Sequence, residues 1–175
     1  MSYKKLIISL LILSLILIST GCLGKLIPTT PSVTPPAGTA GVLYLEPANL
    51  SLTPSQDFAV ELKTTSITNL KGYSVTLSYD PTFISLQEVT EGPFLSEKGE
   101  TFFYKKVDDT KDTILIDCAV LGSKVSVSGE GTLATLSFTC LKAGSTSIEF
   151  SLAKTRDAHN KEIVITKRNT KLKSK

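Results

Sequence analysis

Beyond residue 56 apolar and polar side chains trade places with a period of two. In DFAVELKT (57–64), Phe58, Val60 and Leu62 fall on one side and Glu61 and Lys63 on the other. GYSVTLSYDP (72–81) repeats the pattern: Tyr73, Val75, Leu77 and Tyr79 share one phase, Ser74, Thr76 and Ser78 the other, and Asp80-Pro81 ends the run. Successive strand residues point to opposite faces, so each segment predicts a strand with one dry and one wet side. Further strands are predicted at GVLYLEP (41–47), FISLQEV (83–89), TFFYKK (101–106), TILIDCAVL (113–121), TLATLSFTCL (132–141), STSIEFSL (145–152) and EIVIT (162–166). Gaps such as VDDTKD and LKAGST carry the Gly, Asp, Ser and Lys of turns. Lys142-Ala143-Gly144 predicts a tight hairpin, which makes the strands on either side of it neighbours. No segment here supports a helix of ordinary length. Nine short strands predict an all-β fold, a two-sheet sandwich with jelly-roll topology over residues 41–166.

The first 40 residues follow another rule. Leu6 to Ile18 is a run of 13 residues broken only by Ser9 and Ser14. As a helix it covers about 20 Å, short of the roughly 30 Å of bilayer hydrocarbon. With Lys4 and Lys5 in front, it has the form of a secretion signal. Ser19, Thr20 and Gly21 lead into Cys22, an order that resembles the lipoprotein signal of bacteria and archaea, in which cleavage precedes the cysteine and lipid joins its thiol. Ser19 stands where that signal usually has leucine. The expectation is a lipoprotein-type signal peptide over 1–21 and lipid on Cys22. That lipid would hold the chain at the cell membrane with its domain on the extracellular side. An uncleaved anchor and ordinary secretion are the alternatives, and both also place the domain outside. In KLIPTTPSVTPPAGTA (25–40), Pro28, Pro31, Pro35 and Pro36 stand among threonines. Such a stretch buries too little apolar area to fold, so 22–40 reads as a linker of roughly 30–45 Å in the polyproline form.

Charge is unevenly placed. Gly41–Ile165 holds all 16 acidic residues against 11 basic ones, a net of −5, while TKRNTKLKSK at the end carries five cations and no anion. Residues 167–175 therefore read as a basic, flexible tail on an acidic domain. Nucleic-acid binding wants a basic patch on the fold itself, and none is predicted. Of the three cysteines, Cys118 and Cys140 fall on the inward phase of their strands, beside Ile116 and Phe138. If those strands pair antiparallel through 122–131, the two cysteines are offset by roughly 15 Å, too far for a disulfide. They read as two buried small hydrophobes, with a disulfide as the alternative.

No catalytic constellation is legible. His159, the only histidine, sits in the polar loop RDAHNKE. Asp117 and Glu149 fall on the outward phase of different strands, where solvated acids are ordinary. The turns Asp108–Asp112 and Asp157–Glu162 offer oxygen ligands without the spacing of a dedicated calcium loop. No enzyme activity, cofactor or metal site is expected. Sugar-binding faces stack rings on exposed aromatics, but this chain has no tryptophan and Phe102-Phe103 turns only one ring outward.

One strand lacks a wet side. With Ile114, Ile116, Cys118 and Val120 inward, TILIDCAVL turns Leu115, Asp117, Ala119 and Leu121 outward. An apolar outer face in a two-layer fold is covered by a loop of the same chain, consists of scattered surface apolars, or marks a place where a partner docks; on the last reading Thr76, Ser78 and Glu149 are the nearest polar candidates for its rim. Several segments then carry a resemblance: Leu70 to Pro81, LKGYSVTLSYDP; Val89-Thr90-Glu91-Gly92; GTLATLSF from Gly131 to Phe138; AGSTSI from Ala143 to Ile148; and Arg156-Asp157 through Glu162-Ile163. In this order they resemble the cohesin family, receptor domains of cellulosome-type assemblies, over about residues 41–166. The resemblance implies a nine-stranded sandwich without catalytic activity. It also implies a dockerin-like partner that carries its own calcium, held on a sheet face made by the segments at 72–79, 101–106, 113–121 and 145–152. The outward residues Thr76, Ser78, Leu115, Asp117, Ala119, Leu121 and Glu149 fall on those segments. A polysaccharide-binding sandwich and a structural lipoprotein domain with another protein partner are the alternatives.

Overall fold

A computed structural model of the chain describes residues 41–175. The predicted signal peptide, Cys22 and the proline-threonine linker lie outside the described residues. Within them the order is β1 (Gly41–Glu46), β2 (Asn49–Leu52), β3 (Asp57–Ser78), β4 (Ile84–Glu91), α1 (Pro93–Ser96), β5 (Thr101–Asp108), β6 (Thr113–Val120), β7 (Val127–Cys140), β8 (Gly144–Asp157), β9 (Ile165–Arg168) and β10 (Thr170–Ser174).

Two layers grow from one long strand. The first half of β3 pairs with β1 and β7, and β1 and β7 pair in turn with β9 and β4. The second half of β3 pairs with β6 and β8; β5 extends the layer beyond β6, and β10 and β2 extend it beyond β8. The predicted strands at 57–64 and 72–79 are thus one strand that bends between layers. Ser66 and Asn69 take positive φ of 55° and 56° at the bend, and the register with β7 shifts there, as bulges do when they turn a strand. The Ser128 hydroxyl accepts the Asn69 N–H at 2.8 Å.

The core lies between the layers. Leu43, Leu62, Val75, Ile114, Ile116, Leu136 and Ile148 are fully buried in one continuous apolar cluster. The Phe58 ring stacks on Phe138 at 5.5 Å between centroids. Polar ties cross the same space: the Tyr73 hydroxyl donates to the Leu133 carbonyl at 2.9 Å, and Lys105 reaches the Val89 carbonyl. Gly92-Pro93 starts the single turn α1, whose Phe94 and Leu95 are buried.

Three expectations are corrected. Residues 167–175 are no loose tail: β10 runs between β2 and β8, with Thr170, Leu172 and Ser174 buried and Lys171 and Lys173 outward. The period-two alternation of TKLKS is what makes this possible, and the Lys-rich composition hides it. The tail's five cations consequently join the fold, and residues 41–175 carry 16 basic and 16 acidic side chains. Secondly, β7 and β8 do not form a hairpin pair, because the link between them carries the chain from one layer to the other. Gly144, at φ +141°, makes that corner against the Phe83 ring. Thirdly, β6 and β7 do not pair with each other. Cys118 and Cys140 are buried free thiols on strands of different layers.

Candidate functional site

The outward surfaces of the two layers differ in chemistry. On the β1–β3–β7 layer the outer side sets the half-buried Val42 and Tyr44 beside a polar cluster in which Lys63 is bonded to Glu46 at 2.7 Å and close to Glu61 at 3.5 Å. On the β5–β6–β3–β8 layer the outer side includes Phe102, Tyr104 and Leu152, exposed by 57%, 42% and 39%. An apolar patch rimmed by polar groups is the usual mark of an interface.

Register orders this second surface into rows across four strands. Phe102, Ala119, Gly72 and Arg156 form the first, and Tyr104, Asp117, Ser74 and Lys154 the second. Lys106, Leu115, Thr76 and Leu152 form the third, and Asp108, Thr113, Ser78 and Glu149 the fourth. Five of the sequence-predicted residues, Thr76, Ser78, Leu115, Asp117 and Ala119, therefore lie together on β3 and β6, and Glu149 joins them through its pairing with Ser78. Leu121 sits just past the end of β6, its N–H bonded to the Glu100 carbonyl at 2.7 Å, at the margin of the surface.

Sequence reading missed the larger part of the apolar area. TFFYKK showed that one of two adjacent phenylalanines turns out; the structure turns out both Phe102 and Tyr104, two positions apart on edge strand β5, while Phe103 packs on the core. Leu152 was hidden by a bulge. Strict alternation from the buried Phe150 sends Leu152 inward, but the register between β3 and β8 slips by one residue there, and Leu152 emerges beside Thr76. Leu115 is half-buried and lines a depression open between Thr76 and Lys106.

A second depression of about 600 Å³ opens at the first two rows. Gly72, Ser74 and Ala119 floor it, and Phe102, Lys154 and Arg156 stand at its sides. The floor is low because β3 and β6 approach so closely at Gly72 that a Cβ there would lie 2.8 Å from the Cys118 carbonyl oxygen. Among the polar side chains here Asp117 is distinct: its Oδ1 is buried and makes no hydrogen bond among the described residues. Beneath it, the Cys118 thiol donates to Glu91 at 3.5 Å. Burial first, and then the Glu91 charge, push that thiol up to about 12, so it stays protonated and is no nucleophile. Burial chiefly, with help from Cys118 and Glu91, also raises Tyr73 well above the ordinary phenol range.

The acidic turns hold their own backbone. Asp108 Oδ1 accepts from the Thr110 hydroxyl at 2.6 Å and its N–H at 3.1 Å; Asp157 Oδ1 accepts from the N–H groups of Lys161 at 2.7 Å and His159 at 2.9 Å. These bonds lower both carboxyls, the Thr110 hydroxyl leading for Asp108 and the Lys161 N–H for Asp157. Among the described residues no three His, Cys, Asp or Glu side chains cluster as a metal site.

The cohesin domain model matches residues 43–171. No curated protein matches the chain. Solved structures of similar fold include a cohesin in a type I cohesin–dockerin complex from Clostridium thermocellum, 13% identical, covering 78% of this chain and 94% of that one with a TM-score of 0.69. A type II cohesin from the cellulosome of Acetivibrio cellulolyticus is 14% identical over 76% and 95% of the two chains, with a TM-score of 0.67. A non-cellulosomal cohesin from the hyperthermophilic archaeon Archaeoglobus fulgidus is 15% identical over 78% and 92%, with a TM-score of 0.66. A family match from β1 into β10, on a sandwich of this topology, assigns the chain: it belongs to the cohesin domain family.

Proposed function

We propose that this chain is a noncatalytic adaptor that captures a dockerin-like, calcium-loaded protein module on the β5–β6–β3–β8 surface. The observation that carries this is the contrast between the two outward faces: on one, Val42 and Tyr44 are half-buried beside ion-paired polar side chains, while the other bears the exposed Phe102, Tyr104 and Leu152, with Leu115, in adjacent rows. Lipid on Cys22 tethers the domain to the outer side of the cell membrane, and the proline-threonine linker gives it reach. Assembly of polysaccharide-degrading enzymes is the setting such an adaptor suits.

The two neighbouring outward rings, Phe102 and Tyr104, support a second reading, direct binding of a polysaccharide through ring stacking. Calorimetry separates the two. The full chain in detergent is titrated with a panel of calcium-loaded dockerin modules and, in parallel, sedimented with insoluble polysaccharides. Binding to a module, lost in Leu115→Lys and Leu152→Lys, is the expected result. Retention by polysaccharide with no module bound would replace the first reading by the second.

A further inference from the structure

The cations that join the fold at its carboxyl end stand in order. Lys171 and Lys173 take the outward phase of β10, and register sets each in a row across three strands: Asn49, Lys171 and Ser147, then Ser51, Lys173 and Ser145. The Lys175 N–H donates to the Leu52 carbonyl at 3.2 Å, which keeps a third exposed lysine in phase with the other two. The three ammonium groups recur about every 7 Å along the strand, and none makes an ion pair among the described residues. The two rows line a depression of about 630 Å³ that contains no aromatic ring and no exposed large apolar side chain. Its one acid is Glu149, at the β3 side, whose carboxylate accepts from the Ser147 hydroxyl at 2.8 Å. In a domain whose 16 basic and 16 acidic side chains balance, this corner is a cationic strip, and such a strip attracts anions.

We infer that the β2–β10–β8 face is a second binding site, for a linear anionic polysaccharide of the polyuronate class laid along β10. Its carboxylates pair with Lys171, Lys173 and Lys175. Its hydroxyls bond with Asn49, Ser51, Ser145 and Ser147, side chains that both donate and accept. Evenly spaced cations match a repeating charge better than a single anion, and the interleaved hydroxyl and amide groups match a polymer that offers hydroxyls as well. A bilayer fits less well, because peripheral contacts with lipid bury an apolar face in the headgroups, whereas this face is concave and exposes none. A single-stranded nucleic acid wants rings on which its bases stack. The site is separate from the docking rows, which it meets only at Glu149, and it needs no dockerin-like partner.

Titration of the full chain in neutral detergent with polygalacturonate, and with its methyl ester, tests this; the ester keeps the sugar backbone and loses the charge. Polygalacturonate is expected to bind and the ester to bind about tenfold or more weakly, and raising salt from about 50 to 500 mM weakens the wild-type complex in the same sense. Replacing Lys171, Lys173 and Lys175 together by alanine lowers affinity about tenfold or more, with the melting temperature measured alongside to separate lost binding from lost fold. Lys167→Ala, exposed on β9, leaves binding unchanged, and so does removal of the docking-surface rings by Phe102→Ala and Tyr104→Ala. Equal binding of acid and ester, or a triple variant that binds as the wild type does, overturns the site. Failure of polygalacturonate to bind overturns it too. Protection of β10 amides from hydrogen exchange in nanodiscs of phosphatidylglycerol, but not of phosphatidylcholine, would in that case give the face to the bilayer.

Discussion

At the scale of single residues, Gly72 sets how closely β3 and β6 approach. Its missing Cβ would meet the Cys118 carbonyl oxygen at 2.8 Å and the Ala119 Cβ at 3.0 Å, so any side chain has to push β3 away from β6. The obstacle is backbone, which cannot rotate aside. Overpacking of this kind costs about 1–3 kcal/mol, and Gly72→Ala is expected to lower the denaturant midpoint accordingly. It also raises the floor of the depression between Phe102 and Arg156. Ser74→Ala, half-buried on the same side of β3, is the matched control and is expected to stay within about 0.5 kcal/mol of wild type. A neutral Gly72→Ala would mean that β3 and β6 are held apart by something other than this contact. Cys118, directly below, illustrates the same compactness: its thiol is kept protonated by burial and by Glu91, and chemistry at sulfur is closed to it.

At the scale of elements, β10 decides how far the fold extends. Among the described residues it supplies the only ladder for β2, and it pairs with the edge of β8 away from β3. Leu172 is 1% exposed and Thr170 0%, and the Thr170 hydroxyl donates to the Pro47 carbonyl. Removing residues 170–175 exposes that leucine, worth about 1.5–3 kcal/mol, and strands β2 as well. The truncated chain is expected to melt about 10 °C or more below the full chain. Replacing Lys171, Lys173 and Lys175 by alanine, which keeps the strand and removes its charge, is expected to shift melting by no more than about 2 °C. Equal melting of truncated and full chains would make β10 a passive appendage. This strand also marks where sequence reading stops. Alternation exposed the inward phases of β3 and β6 correctly, because Val75, Leu77, Ile114 and Ile116 are strictly periodic. It failed where one extra residue resets the phase, at Leu152, and where composition masks a short amphipathic run, at TKLKS. Joining of the segments at 57–64 and 72–79 into one strand depends on positive φ at Ser66 and Asn69, which no hydrophobic pattern reports. The outward residues Leu115, Asp117 and Ala119 on β6 were legible because that strand lacks a wet side. Phe102 and Tyr104 were harder to see, because an edge strand with few inward apolar positions gives no clear phase.

At the scale of the whole molecule, the two layers share a strand and a core, and this sets how the domain comes apart. The 22 residues of β3 pair with β1 and β7 at one end and with β6 and β8 at the other. Losing either layer therefore strips one half of β3 and uncovers apolar side chains of the other layer, such as Val75 or Leu136, that are fully buried in the common cluster. Ties between layers, including the Tyr73 hydroxyl on the Leu133 carbonyl, fail at the same time. Neither layer has a core of its own, so unfolding is expected to be a single cooperative transition. The chain contains no tryptophan, which allows a clean test with one introduced at a time: Tyr44→Trp in β1 reports on the first layer and Tyr104→Trp in β5 on the second. Both positions have side chains on the outer surface, so the larger ring is accommodated in solvent. Fluorescence midpoints in urea should coincide with each other and with the loss of strand circular dichroism. Two separated midpoints, with β5 leaving first, would show instead that the docking layer opens independently, and a partner bound there would then have to pay for ordering it.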